Sequence, residues 1–571
     1  YVSYLQTINR VRKPFTRIAI GARLELYHLF RVALHATSRT ETSLDKLLLE
    51  DVVRLSVSTY SSISANAQSI LVDAMKRLNG SYSLIIKSAF KHLSKALEIN
   101  DHQKIESGLS IFAIKKIRTR LQTDFYNIYR YLDLLHRCLN VDNQNVYSSA
   151  YVLYTSVRKG ITPPSSVCIL NESAIDCIRP PDQFIDLEIK AVKLAKENKR
   201  KIYFEKLEKL QEKILADESN NGHWKITVLN LELLLNLQSY LEIPTRLDIL
   251  LLFHKEAAVD HPLISRQALQ GISRVVNKLC TLTKYDYDIR LMYDLNFVAP
   301  HLTTVDTRPD HGVSYKAKWQ EELQNTEYPN YYIDYKPSVG WLFWKNSLLA
   351  VDSTPFYKLN LNSSDLETIK TFSEFINKDW VSRIVKLWVT DAEVNSSFQV
   401  MDVFVIASLV VLVSNAYTKH FTFHDLLSII DEIYVPDEKS AHIITGQLII
   451  GILFGSKAMS PEFWEERDEY VSKYLKRILN EDLSPDNQGI WHVFAAFLPG
   501  HVDVRRFPKV IDVILNFQLD PNSDSAFKDS TRIAYMRGAI GSISWRLGNS
   551  DKFLEFCMQN INNRYAAVRS Q

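Results

Sequence analysis

Residues 259–279, VDHPLISRQALQGISRVVNKL, place apolar side chains three or four positions apart, with basic side chains between them. This spacing predicts an amphipathic helix, because residues three, four and seven positions apart share one helical face. Pro262 suits the first helical turn, where its missing N–H costs nothing, and Asp260 supplies a cap or favourable charge just before it. The apolar face comprises Ile264, Ala268, Ile272, Val275 and Leu279.

The leucine-rich residues 245–258 predict a partner helix, so a short Asp/Pro turn would join the two as an antiparallel hairpin. Similar second helices recur along the chain at nearly regular intervals. Three of them begin at Ile63, Asp101 and Asn143, which are 38 and 42 residues apart. Four more begin at Glu438, Asp486, Ser530 and Asn562, at intervals of 48, 44 and 32 residues.

A period of about 40 residues with two helices per unit is typical of HEAT and armadillo arrays. The sequence therefore predicts an all-α fold, a HEAT/armadillo-like α-solenoid of stacked antiparallel helix pairs. Each pair would bury its apolar face only against its neighbours. The alternative is a non-repetitive helical domain, but the period persists towards both ends of the chain and favours the solenoid.

Three segments interrupt the repeats: a proline-rich loop, a helix of alternating charges, and a long aromatic stretch. The predicted organisation is HEAT-like repeats over 1–160, a loop and charged-helix insertion over 161–222, HEAT-like repeats over 223–297, an aromatic and proline-rich insertion over 298–346, and HEAT-like repeats over 347–571, truncated at the C-terminal end.

Composition supports a helical globular chain rather than a membrane or nucleic-acid binding protein. The 571 residues include only 16 glycines and 18 prolines, and the formal net charge is +3. The apolar residues 403–413 are too few to span a bilayer, which needs about 20, so they predict a buried helix. The chain starts at Tyr1 and stops within an amphipathic pattern, from which we expect an internal piece of a longer protein.

The cysteines are scattered and form no C-x-x-C pair, so we expect reduced thiols in the cytosol or nucleus rather than a disulfide framework. They are Cys138, Cys168, Cys177, Cys280 and Cys557.

Candidate catalytic and metal-binding residues are few. His420 and His424 are spaced for one helical face and Asp425 follows, a set that can hold zinc, although ordinary surface or packed histidines explain it better. Gly446 and Gly451 have the glycine spacing of a phosphate loop, but Ile452 stands where the lysine is needed, so helix packing is preferred. We assign no catalytic or metal-binding residue and predict that the chain is not an enzyme.

Four carboxylates in one helical run are interpreted as a solvated face rather than an acid–base pair. Two basic clusters, residues 10–13 and 198–201, could contact phosphates or direct nuclear import, although exposed lysines explain them better. The aromatic insertion could stack bases, but pinning a long loop to a helical surface is preferred. The carboxylates are Glu465, Glu466, Asp468 and Glu469, and the aromatic residues are Trp319, Tyr328, Tyr331, Tyr332, Tyr335, Trp341 and Trp344.

Three stretches together resemble the very large single-chain proteasome activators, the Blm-ten / PA-two-hundred family, in its fungal form. They are the helix HPLISRQALQGISRVVNKL from His261, the insertion RPDHGVSYKAKWQEEL…GWLFWKN over residues 308–346, and DNQGIWHVFAAFLPGHVDVRRFPKVIDVIL over residues 486–515. The resemblance extends over most of the chain and is weakest over residues 161–222.

The resemblance implies a HEAT-type wall of a hollow dome that caps the 20S proteasome core particle and contacts its α-subunits. Family members loosen the gate without ATP, favour entry of peptides and unfolded proteins, and act in the nucleus and cytoplasm, with links to DNA repair and core-particle maturation. No cofactor is required, although some members bind inositol phosphates. The family's anchoring tail with a penultimate tyrosine has no counterpart at Ser570 and Gln571.

Two other classes of function stay open at this point. A different HEAT scaffold, such as a nuclear transport receptor, would share the fold, although transport receptors are usually acidic. An enzyme carried on a helical scaffold would need a convergent polar site, and a metal held by His420 and His424 would revive it.

Overall fold

The computed structural model describes residues 17–36, 39–122, 124, 126–158, 183–218, 224–239, 243–280, 302–306, 347–351, 363–394, 399–459, 461–502, 504–515, 526–543 and 550–570. These residues are almost all helical, which confirms the predicted all-α class. They fall into two compact units, residues 1–167 with 179–213, and residues 168–178 with 214–571.

The first unit is a run of helix pairs. Its helices are α1 (Arg17–Ala36), α2 (Ser43–Ser56), α3 (Ser61–Arg77), α4 (Ser81–Ile99), α5 (His102–Ala113), α6 (Lys115–Gln122), α7 (Ile128–Leu139), α8 (Gln144–Arg158) and α9 (Gln183–Glu218), which belongs to this unit up to Lys213. Helices α2 and α3, α4 and α5, and α7 and α8 pack as three successive hairpins. Helices α2, α4 and α7 stack in one layer, and α5 and α8 in the other. Strands β1 (Arg39–Thr40) and β2 (Leu78–Asn79) pair in parallel.

Capping side chains fix where these helices begin. Thr42 and Asp45 form a reciprocal capping box at the start of α2. The carboxylate of Asp101 accepts the Lys104 N–H at 3.1 Å, and the Asn143 side chain accepts the Val146 N–H at 3.1 Å. The predicted helix starts in this unit are therefore confirmed to within two positions.

The second unit continues the same arrangement from Ile214. Its helices are the end of α9, α10 (Trp224–Gln238), α11 (Leu247–Ala257), α12 (Pro262–Cys280), α13 (Ser363–Ser373), α14 (Lys378–Val394), α15 (Val400–Ser414), α16 (Phe423–Ile433), α17 (Lys439–Phe454), α18 (Trp464–Arg477), α19 (Gln488–His501), α20 (Pro508–Leu515), α21 (Ala526–Ile543), α22 (Ser550–Asn560) and α23 (Ala566–Arg569). Short 3-10 turns span Gly455–Ala458, Pro461–Phe463 and Val504–Arg506, and a π-helical turn, Ile478–Asp482, ends α18.

Stacking in the second unit confirms the predicted solenoid. Helices α11 and α12 form the hairpin predicted from residues 245–279, and α12, α15, α17, α19, α21 and α23 then stack consecutively in one layer. In the other layer α14 packs on α16, and α18 on α20.

Hydrogen bonds between successive repeats report the same period. Gln68 Nε2 donates to Ser110 Oγ across 42 residues, and Thr531 Oγ1 donates to Gln488 Oε1 across 43 residues. Trp491 Nε1 donates to His442 Nδ1 across 49 residues. These separations match the intervals found in the sequence, because each second helix contacts its counterpart one repeat away.

Helices α15 and α17 form the centre of the second unit. Every residue from Ser440 to Leu453 is buried, and so is most of the apolar run predicted as a buried helix. Among the helices of the described ranges, none is both long enough and apolar enough to cross a membrane.

The aromatic insertion is bounded by a pair of strands that the sequence analysis did not predict. Strands β3 (Leu302–Asp306) and β4 (Ser347–Val351) pair in an antiparallel register from Leu302 opposite Val351 to Asp306 opposite Ser347. Residues 347–351, assigned above to helical repeats, are therefore extended, and the first described helix after the insertion begins at Ser363.

Helix α9 also differs from its prediction. It spans Gln183–Glu218 within the predicted loop and charged-helix insertion over 161–222. Its C-terminal half is not purely a charged surface, because Tyr203, Leu207 and Leu210 are buried.

Candidate functional site

The structure gives the predicted histidine pair separate roles. The Nδ1 atom of His424 lies 3.2 Å from Glu466 Oε1. The backbone of His420 instead forms an isolated parallel β-bridge with that of Asn377. Asp425 caps its own helix by exchanging hydrogen bonds with Thr422. Within the described ranges, no three His, Cys, Asp or Glu side chains are grouped as metal ligands.

The predicted glycine pair serves helix packing. A Cβ atom added to Gly451 would lie 2.5 Å from the Ile406 side chain and 3.0 Å from the Val403 carbonyl oxygen. Helices α17 and α15 therefore approach so closely at this position that only glycine fits without a shift of its neighbours. A Cβ at Gly446 would meet Ile490 at an ordinary 3.7 Å, and Ile452 is buried.

One member of the predicted solvated acidic face is instead buried. Glu465, Glu466 and Glu469 are at least partly exposed, but Asp468 is only 5% exposed and pairs with Arg467, which is fully buried. The interpretation of Asp468 as a solvated carboxylate is wrong, because the adjacent arginine supplies the partner that a buried carboxylate needs.

Arg467 is the centre of a buried polar cluster between repeats. Its Nε donates to Asp468 Oδ1 at 2.8 Å, Nη1 donates to Ser456 Oγ at 2.8 Å, and Nη2 donates to the Arg506 carbonyl at 2.6 Å. Burial raises the pKa of Asp468, and the Arg467 charge partly offsets that. The cluster joins α18 to the turns that precede it and follow it.

A second buried cluster surrounds His442. Trp491 Nε1 donates to His442 Nδ1 at 3.2 Å, so Nδ1 is an acceptor and the ring proton belongs on Nε2, which lies 2.8 Å from the Pro436 carbonyl. Burial lowers the pKa of His442, in keeping with a neutral ring. These contacts fix α17 against α19 and offer no free catalytic base.

A charged groove of about 1000 Å³ lies beside α18, the π-helical turn, α20 and α21. The π-helical turn widens the end of α18, and Arg532 and Lys528 donate to its carbonyls, with Arg532 Nη2 2.8 Å from the Leu479 oxygen. The basic side chains at the groove are Lys473, Lys476, Arg477, Lys509 and Arg532, and the acidic ones are Asp468, Glu469, Glu481 and Asp512.

The groove therefore carries basic and acidic side chains together. Lys473 and Lys476 have no ion-pair partner among the described residues, whereas Arg477 Nε lies 3.2 Å from Asp482 Oδ2. Sequence reasoning missed the groove because α18 and α21 lie a full repeat apart in the chain, and no local pattern brings them together.

The remaining sequence candidates are largely outside the described residues. The basic residues 10–13 and all seven aromatic residues noted in the insertion lie there. Of residues 198–201, helix α9 carries an exposed Asn198 and an exposed Lys201.

Comparison with known proteins agrees with this architecture. Residues 324–538 match the family described as proteasome activator complex subunit 4-like, HEAT repeat-like. The chain is also 31% identical over 559 residues to the proteasome activator BLM10 of Saccharomyces cerevisiae. Along almost its whole length the sequence is therefore similar to a stretch of a HEAT-repeat proteasome activator. The aligned region covers 97% of this chain and 26% of BLM10, so the chain spans about a quarter of that relative.

These two matches confirm the resemblance found in the sequence. The buried clusters of Arg467 and His442 join repeats of the helical array. The charged groove is the candidate ligand site.

Proposed function

We propose that this chain forms part of an activator that binds the α-subunits of the 20S core particle and promotes opening of its gate without ATP. Peptides and unfolded proteins would be the substrates admitted. The observation that supports the proposal is the 31% identity to the proteasome activator BLM10 along 97% of the chain.

The fold suits such a role physically. Stacked helix pairs form a continuous core and a large surface, and each pair contacts mainly its neighbours. We further propose that the chain contributes no catalytic step, because the buried ionisable side chains of the Arg467 cluster are engaged in a joint between repeats.

Inositol phosphate is proposed as a ligand on the family resemblance, and the charged groove is where we would look for it. Lys473 and Lys476 could contact phosphate oxygens, although Glu469 and Asp512 oppose them. Replacing both lysines with glutamine should weaken binding of inositol hexakisphosphate measured by calorimetry. Unchanged binding would place the ligand elsewhere.

Localisation in nucleus and cytoplasm is likewise a proposal. Fluorescence microscopy of the tagged natural protein would test it, and exclusion from the nucleus would contradict it.

The deciding experiment mixes the complete natural protein with purified 20S core particle in the absence of ATP. We expect a shifted band on a native gel and faster cleavage of fluorogenic peptides within it than in the free core particle. No shift at micromolar concentration would overturn the proposal, and binding to a transport GTPase would then be measured instead.

A further inference from the structure

A small cavity of about 330 Å³ lies between the start of α12 and the end of α14, within the second unit. Its apolar lining includes Val259, Pro262, Leu387 and Val394. The volume is at the lower end of the range found for ligand pockets, about 300–1,000 Å³. It suits one aliphatic side chain with an adjoining peptide group.

Most polar side chains around this cavity already have partners. Ser265 Oγ donates to the Ala257 carbonyl at 2.7 Å, and Thr390 Oγ1 donates to the Lys386 carbonyl at 3.2 Å. Arg266 forms an ion pair with Asp391. None of these groups needs a ligand to satisfy it.

Trp388 differs from them. It lines the same cavity and is only 4% exposed, and its Nε1–H has no hydrogen-bond partner among the described residues. The indole nitrogen can only donate, so a partner must bring an acceptor. A buried donor left without an acceptor is unfavourable, and a ligand that supplies one relieves that penalty.

Other tryptophans of the second unit show what is usual in this fold. Trp380 Nε1 donates to the His254 carbonyl at 3.1 Å, and Trp464 Nε1 donates to the Met459 carbonyl at 3.3 Å. Trp491 Nε1 donates to His442 at 3.2 Å. Against this background, the unpaired N–H of Trp388 at the wall of an apolar cavity marks a place for an acceptor from outside. Neighbouring atoms cover Nε1 in this structure, so an acceptor in the cavity reaches it when the indole ring turns towards the opening.

We propose that this cavity binds an aliphatic residue of an extended polypeptide, whose main-chain carbonyl accepts a hydrogen bond from Trp388 Nε1. A neutral carbonyl fits better than a charged group, because Asp260 and Asp391 disfavour an anion and Arg266 disfavours a cation. The site goes beyond the proposed function and requires no core particle, since the peptide binds this chain directly.

Saturation-transfer NMR with the complete natural protein, in the absence of core particle, tests the proposal. The probe is N-acetyl-leucine amide, and N-acetyl-glycine amide is the reference that lacks the aliphatic side chain. For a ligand this small we expect a Kd on the order of millimolar. Saturation should reach the leucine methyl groups, and the glycine compound should bind more weakly.

Three variants locate the binding. Trp388→Phe keeps an aromatic ring and removes the donor, so it should weaken binding about three- to tenfold. Thr390→Phe places a bulky ring at an exposed position that lines the cavity and should abolish binding, whereas Glu393→Phe adds the same ring to an exposed position outside it and should not.

Three results would overturn the proposal. They are no saturation of the leucine compound at any concentration, as expected if the cavity holds only water, unchanged binding in Trp388→Phe, and equal effects of Thr390→Phe and Glu393→Phe. Each is independent of whether the protein activates a core particle.

Discussion

Two joints between helix pairs, one in each unit, are sealed by different chemistry. In the first unit the rings of Phe90, Phe112 and Tyr131 pack together, with centroids 5.6 Å apart for the phenylalanines and 4.9 Å between Phe112 and Tyr131. In the second unit the fully buried Arg467 donates to Asp468 in its own helix and to Ser456 and Arg506 in two separate turns. An apolar joint depends on filled volume, whereas a polar joint also specifies where each partner must lie.

The two joints also differ in whether their buried polar atoms have hydrogen-bond partners. The hydroxyl of Tyr131 is buried without a hydrogen-bond partner in the described part of the chain, but the guanidinium of Arg467 is satisfied on all sides. Removing a polar atom should therefore have opposite consequences in the two units. Four substitutions test this difference, and they are given in order of decreasing expected effect.

Arg467→Ala should be the most damaging change. It leaves Asp468 buried without its cation and removes the donors to Ser456 and the Arg506 carbonyl, and breaking a buried pair in this way costs about 3–5 kcal/mol. Hydrogen exchange should show loss of protection in α18 and α20. Lys476→Ala, at an exposed position of α18, is the matched control. Equal protection in the two variants would show that the polar joint contributes little.

Asp402→Asn should stabilise the protein in a pH-dependent way. Burial raises the pKa of Asp402 to about 7, Arg266 lowers it and Asp391 raises it. Because the folded-state pKa lies above the ordinary value, the native carboxyl favours stability at low pH, and this is lost as pH rises from about 4 to about 7.

The free energy of unfolding of the asparagine variant should therefore exceed that of the parent at pH 8 by on the order of 2 kcal/mol. The two free energies should become equal near pH 4. The side chain of Gln447, oriented to satisfy its neighbours, donates to Asp402 Oδ2 at 3.1 Å and would donate to asparagine as well. Melting curves at several pH values check this, and parallel curves at every pH would contradict it.

Tyr131→Phe should stabilise the first unit by about 1 kcal/mol, because it removes a buried hydroxyl that has no partner and keeps the ring stack. Urea unfolding followed by hydrogen exchange in α4, α5 and α7 measures the change. Destabilisation would indicate that the hydroxyl has a partner, such as a bound water.

His424→Ala should have the smallest effect, below about 0.5 kcal/mol. The His424 side chain is 79% exposed, and its contact with Glu466 at 3.2 Å is a surface ion pair of the kind that contributes little. Thermal unfolding with and without added zinc should be unchanged by the substitution. A zinc-dependent rise in melting temperature in the parent alone would instead revive the metal site.

The sequence predicted the helix pairs well because their signals are local. Asp101 and Asn143 cap the helices they precede, and the period of the second helices reappears in the contacts of Gln68 with Ser110. Helix starts are written in a few neighbouring residues, so a single sequence is enough to find them.

Features that depend on distant residues escaped prediction. Asp468 appeared solvated because the partners of Arg467 come from other turns, and the cavity beside Trp388 joins α12 to α14, more than 100 residues away, as the Arg266–Asp391 pair shows. Strands β3 and β4 are five residues each and belong to one another across the insertion, which no local periodicity can reveal.

The pairing of β3 with β4 also brings together the two ends of the insertion that the strands enclose. Adjacent strands are about 4.8 Å apart, and Asp306 lies opposite Ser347. The two ends of the insertion are therefore direct neighbours in space. Any segment inserted between those residues has both ends held at the same place. Doubling the length of that segment raises the entropic cost of closing the loop by only about 0.6 kcal/mol. The paired strands thus give one defined place, between Asp306 and Ser347, at which a fluorescent reporter or an affinity module could be inserted.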